Sequence, residues 1–128
     1  MDQKELNMPI QNILVVEDSP TDRQYITDIL AKSGYKVTSV DNAEEAIARI
    51  KQAKPDLVLM DVVLPGQNGF QATRELSKNE ATNNIPVILI TTKSQETDKV
   101  WGMRQGARDY IVKPVKQADL LAKISALG

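Results

Sequence analysis

N-I-L-V-V-E-D, residues 12–18, decides how the chain folds. Four branched aliphatic residues, Ile13 to Val16, run without polar alternation into two acids. Such a run belongs to a strand covered on both faces, as strands of a parallel sheet are. Leu57 to Met60 and Val87 to Ile90 read the same way, and Lys36 to Val40 and Asp109 to Val112 read as weaker strands. Helical patterns fill the gaps. Thr21 to Lys32 sets Tyr25, Ile26, Ile29 and Leu30 on one stripe, with Gly34 as its stop. Ala43 to Ala53 groups Ala46, Ile47 and Ile50 behind Asn42 as N-cap. Asn68 to Ser77, Glu96 to Gln105 and Gln117 to Ala126 complete the helices, with Pro55, Pro86 and Gly106 as punctuation. A strand followed by a helix, five times over, predicts an α/β fold with a parallel sheet between two helical layers. Right-handed crossovers leave few arrangements, and the flavodoxin-like doubly wound (βα)5 order 2-1-3-4-5 leads them.

The chain has 128 residues, a length for one domain. We read residues 1–11 as a short polar extension, too polar for a signal peptide, and 12–128 as the domain, which leaves no room for a separate output domain. Hydrophobic residues at 41% and charged residues at 26% fit a soluble globule. A net charge of -1 gives no basic field for nucleic acid or an anionic membrane, and no segment approaches the roughly 20 apolar residues of a membrane span. The expected location is the cytoplasm. With 0 cysteines, disulfides and thiolate chemistry are excluded; with 0 histidines, so are a Ser-His-Asp triad, imidazole metal ligation and a phosphohistidine carrier.

In a doubly wound sheet the reactive site lies at the carboxyl ends of the strands, near the switch in strand order. Glu17 and Asp18 follow the first strand, Asp61 the third, Thr91 and Thr92 the fourth, and Lys113 and Pro114 the fifth. Three carboxylates in one pocket repel one another, and a hard cation relieves them. Oxygen donors alone point to Mg²⁺, or to Mn²⁺. Three acids against one dication and the Lys113 ammonium leave the pocket near neutral, able to admit a phosphoryl group. Asp61, on the end of L-V-L-M, is the candidate nucleophile, since a carboxylate can form an acyl phosphate. Lys113 would neutralise charge on the transferring group, and the Thr91 hydroxyl would donate to a phosphoryl oxygen. Each residue alone has a plainer reading. Asp61 can be a helix cap, Glu17 and Asp18 can serve capping and dipole chemistry ahead of Pro20, Lys113 can be solvated, and Thr91 can be structural. Their coincidence at four strand ends favours the site.

The runs L-V-V-E-D-S-P, L-V-L-M-D-V-V-L-P-G-Q-N-G, P-V-I-L-I-T-T and G-A-R-D-Y-I-V-K-P resemble the receiver domain of two-component response regulators, from about Ile13 to the end. The resemblance implies that Asp61 accepts a phosphoryl group from a histidine kinase. It implies that Glu17, Asp18, Asp61 and the Val63 backbone carbonyl surround Mg²⁺, and that Thr91 and Lys113 contact the phosphate. Tyr110 matches the family's aromatic switch residue. Within the family the chain resembles stand-alone CheY-like regulators. G-F-Q-A-T-R and the stretch from Thr91 to Tyr110 look most like PilH-type receivers of type IV pilus chemosensory systems. That implies control of twitching or pilus-driven taxis, by direct output or by draining phosphate from a sister regulator. Expected partners are a chemosensory histidine kinase and an output protein; the chain itself is expected to be a monomer.

Two departures stand out. The acidic pair is Glu-Asp where Asp-Asp is commoner, so Glu17 would reach the metal through water. Thr92 stands where alanine or glycine is common, beside the expected phosphate. Phosphorylation raises the charge of the acceptor toward -2. Thr91 would then move toward the phosphate and Tyr110 turn inward, biasing a surface of the fourth helix, fifth strand and fifth helix. Trp101 falls on or near that surface, as a partner anchor or as partly buried packing. Lys113-Pro114 is a candidate cis bond.

Three rivals remain open at this level. A haloacid-dehalogenase-type phosphatase wants an acid two residues after the nucleophile, where this chain has Val63. A flavin or nucleotide module wants phosphate-binding amides in the first loop, where Glu17 and Asp18 would repel phosphate. A pseudo-receiver that docks constitutively does not need the complete acidic, threonine and lysine set.

Overall fold

β1 (Asn12–Val16), β2 (Lys36–Val40), β3 (Leu57–Met60), β4 (Val87–Thr91) and β5 (Asp109–Val112) form one parallel sheet of order β2-β1-β3-β4-β5. The computed structural model describes residues 10–127. Among them the strands alternate with α1 (Pro20–Lys32), α2 (Ala43–Gln52), α3 (Gly69–Lys78), α4 (Glu96–Arg104) and α5 (Gln117–Leu127). The order 2-1-3-4-5 is the one expected. No described helix is long and apolar enough to cross a membrane.

The continuous apolar runs divide by strand period. Leu14, Val16, Val58, Met60 and Leu89 point to one face, where they meet Ala43, Ala46, Ile47 and Ile50 of α2 and Ala72 and Leu76 of α3. Ile13, Val15, Leu57, Leu59, Ile88 and Ile90 point to the other, against Ile26, Ile29 and Leu30 of α1 and Leu120 and Ile124 of α5. Each such side chain contributes about 1.5–3 kcal/mol when fully buried. Two apolar cores thus clamp the strands, and the strand ends inherit that rigidity.

The caps follow the sequence. Asn42 accepts from the Glu45 amide at 2.8 Å, and Gly34, at φ 95, follows the end of α1 in the left-handed region. Some boundaries move. Thr91 closes β4 instead of following it, because the ladder continues through Thr91 opposite Val112 and the Lys113 amide bonds the Thr91 carbonyl at 2.8 Å. Tyr25 leaves the apolar stripe of α1. It is half exposed, and its hydroxyl donates to the Val115 carbonyl at 2.8 Å. Of the stretch 1–11, residues 1–9 lie outside the described residues. Ile10 is buried in the α1–α5 core, and the Gln11 amide donates to Asp56 at 2.9 Å.

Candidate functional site

The order of strands reverses between β1 and β3, and this sets the two acidic strand ends side by side. Val16 pairs with Met60, and the Asp61 amide donates to the Val16 carbonyl at 3.0 Å. Glu17 and Asp61 are both buried, and Asp18 is exposed at the rim. Each of the three offers one carboxylate oxygen, and these atoms lie within 4.8 Å of one another. The donors are all carboxylate oxygens, with no nitrogen or sulfur among them, so the set fits a hard cation such as Mg²⁺.

Lys113 reaches the same pocket from the far side. Its Nζ donates to Glu17 Oε1 at 2.5 Å, Asp22 Oδ2 at 2.8 Å and Asp61 Oδ2 at 2.9 Å. Asp61 Oδ1 accepts from the Val63 amide at 3.1 Å, and Glu17 Oε2 from the Ser19 amide at 3.2 Å. The Lys113–Pro114 bond is cis. Burial pushes the Glu17 carboxyl up to about 7; the Lys113 bond pulls it back, the Asp61 charge raises it further, and the Ser19 amide lowers it. Burial alone would lower the Lys113 ammonium. Its bonds to Asp22, Glu17 and Asp61 outweigh that and hold it above the ordinary lysine range.

Thr91 is fully buried beside this loop, and its hydroxyl oxygen accepts from the Lys93 amide at 3.3 Å. Thr92 is exposed next to it. Tyr110 is already inward: it is buried and its hydroxyl donates to the Lys93 carbonyl at 2.8 Å. Burial, with the Asp98 and Asp61 charges adding, raises that hydroxyl to about 12. α4 lies close over Tyr110 because Gly102 has no side chain: a Cβ there would meet Leu89 at 2.8 Å and Tyr110 at 3.2 Å. Val63, Val100, Trp101 and Met103 remain substantially exposed, Trp101 at 47%.

Sequence reasoning missed two residues. Asp22, in the first turn of α1, is a third carboxylate on Lys113 and adds a fourth acid to the group of Glu17, Asp18 and Asp61. Gly69 opens α3 against the acceptor strand. A Cβ there would lie 2.2 Å from the Asp61 carbonyl oxygen, and the Gly69 amide bonds the Val62 carbonyl at 2.9 Å.

A doubly wound sheet with an acidic pocket at its switch point, closed by a lysine just past the end of β5, defines a receiver module. The chain belongs to the response regulator receiver domain family, which it matches over residues 13–125. It is 56% identical over 115 residues to protein PilH of Pseudomonas aeruginosa, covering 90% of this chain and 95% of that protein. Among solved structures it is similar to the receiver domain of the sensor histidine kinase PA1611 of Pseudomonas aeruginosa, which has a magnesium ion coordinated in the active-site cleft. The TM-score is 0.84 at 33% identity, covering 91% of this chain and 96% of that one. It is also similar to the chemotaxis protein CheY4 of Vibrio cholerae, with a TM-score of 0.86 at 27% identity over 93% of this chain and 99% of that one.

Proposed function

We propose that the domain, residues 12–128, is a phosphorylation switch in which Asp61 accepts a phosphoryl group from a histidine kinase. The observation that carries this reading is the convergence of Glu17, Asp61 and Lys113, from three strand ends, into one partly buried cluster of hydrogen bonds. An Asp61 carboxylate oxygen attacks phosphorus, the bond from phosphorus to the donor imidazole breaks, and that nitrogen keeps the electron pair. Glu17, Asp18, Asp61 and the Val63 backbone carbonyl are the residues that would hold Mg²⁺. The ion would supply positive charge and a template for the phosphoryl oxygens. Lys113 transfers one hydrogen bond from Asp61 to a phosphoryl oxygen, and the Thr91 hydroxyl donates another. The chain is then a signalling protein whose only chemistry is its own phosphorylation and dephosphorylation.

Output follows from the change at Asp61 toward a charge of -2. Thr91 and Tyr110 meet at the Lys93 backbone, which bonds both side chains and leads into α4. They would carry the change to the α4–β5–α5 face, where Val100, Trp101 and Met103 stand exposed for a partner protein. The likeness to PilH supports a regulator of pilus-based motility, served by a chemosensory histidine kinase; we place it in the cytoplasm, as a monomer. The test is transfer from autophosphorylated histidine kinases of such systems. Wild type takes the label and Asp61→Asn does not; equal labelling of Asp61→Asn refutes the assignment. Loss of pilus-driven movement in cells carrying only Asp61→Asn is the expected phenotype, and normal movement counts against the motility role.

A further inference from the structure

Lys113 has three N–H donors, and three carboxylates take them. Two of these, Glu17 and Asp61, belong to the group whose oxygens gather for a cation, so their lone pairs are in demand once the pocket is loaded. Asp22 is not in that group. It sits in the first turn of α1, its amide donating to Ser19 Oγ at 3.3 Å, and its side chain is 44% exposed. One turn further on, the Tyr25 hydroxyl donates to the Val115 carbonyl at 2.8 Å. Asp22 and Tyr25 are three residues apart and so share a face of α1. They grip the loop on both sides of Pro114. Packing does not do this work, because a cavity of about 90 Å³ lies between helix and loop, lined by Asp22, Tyr25, Ile26, Lys113, Pro114 and Val115. A lysine stem beside a void keeps its rotamer freedom unless its head is anchored.

We propose that Asp22 is a positioning residue that anchors the Lys113 ammonium from α1, so that the lysine stays aimed at the phosphoryl group when Glu17 and Asp61 are engaged elsewhere. The proposal rests on the receiver reading. In the loaded pocket Lys113 keeps one bond to Asp22 and turns another to the phosphoryl oxygen, while its stem remains fixed by the first.

The experiment measures labelling by acetyl phosphate at saturating Mg²⁺, followed by intact mass, in a double-mutant cycle. Asp22→Ala is expected to slow labelling about fivefold, within the factor that one partly exposed charge-assisted bond supplies. Asp22→Glu restores most of the rate. In the Lys113→Ala background, Asp22→Ala adds nothing. Labelling of Asp22→Ala at the wild-type rate overturns the proposal, and so does an equal fivefold loss in both backgrounds, which would mean that Asp22 does not act through Lys113. Should Asp22→Ala fail to fold by circular dichroism, Asp22→Asn enters the same cycle, since it keeps the side-chain shape and removes the charge. Absence of labelling in the wild type is a different result: it overturns the receiver reading itself.

Discussion

Replacing Glu17 by glutamine should flatten the pH dependence of stability in the metal-free protein. The buried Glu17 carboxyl stands at about 7 against an ordinary value of 4.5. The folded state then binds this proton more tightly than the unfolded chain does. Stability is greatest below about pH 4.5 for this group and falls as pH rises, until about pH 7, where the full penalty is reached. That difference corresponds to roughly 3 kcal/mol. The chain has 0 histidines; Glu44, held low by the Gln67 and its own backbone amides, titrates below pH 4.5; Lys113 titrates above the ordinary lysine range. Glutamine keeps an oxygen for Lys113 and has nothing to ionise. Urea unfolding with a chelator, from pH 5 to 8, reads the effect. At about 1–3 kcal/mol per molar urea, the wild-type midpoint should drop by roughly 1 M or more across this range while the Glu17→Gln midpoint stays nearly level. Parallel slopes in the two proteins would refute the argument that a buried, incompletely compensated Glu17 controls this pocket.

Three further outcomes follow from the same geometry. Lys113→Ala leaves buried Glu17 and Asp61 without their cation, so at pH 8 with a chelator it should cost about 2–4 kcal/mol, and millimolar Mg²⁺ should recover more stability in the variant than in the wild type; unchanged urea midpoints contradict this. Gly69→Ala would drive a Cβ into the Asp61 carbonyl at 2.2 Å, and a backbone clash of that kind should destabilise by roughly 1–3 kcal/mol and slow labelling of Asp61; a wild-type midpoint contradicts it. Tyr110→Phe removes the 2.8 Å bond to the Lys93 carbonyl and should cost about 1 kcal/mol, with Mg²⁺ affinity unchanged; a shift in that affinity would tie Tyr110 to the metal pocket directly.

β1, β3 and β4 were legible as unbroken apolar runs, β2 and β5 only as shorter or mixed ones, and the site was legible because polar residues follow the strand ends at Glu17, Asp61 and Lys113. Looking only at strand ends is also why Asp22 escaped. Its contact with Lys113 spans 91 positions and depends on how α1 crosses the sheet. The available signal was an acid four residues after Asp18, in the first turn of a helix that starts at the pocket rim. Periodicity misjudged Tyr25, since hydrophobic spacing puts it beside Ile26 and says nothing of a hydroxyl that can reach Val115. Gly69 fell inside the expected helix Asn68 to Ser77 and carried no signal of its own. Its actual constraint is the close approach of α3 to the Asp61 backbone, a tertiary distance that no local pattern encodes. Tyr110 was legible as an aromatic at the site's edge, but its bond to the Lys93 carbonyl spans 17 positions and depends on how the β4–α4 loop lies over β5.

The most direct measurement is to incubate the protein with acetyl phosphate and Mg²⁺, reduce the product with borohydride and locate the modified residue by tandem mass spectrometry. An acyl phosphate at Asp61 predicts one added phosphoryl group before reduction and homoserine at position 61 after it, both lost when Mg²⁺ is chelated. An unmodified Asp61, or a phosphoryl group found on another side chain, would contradict the account.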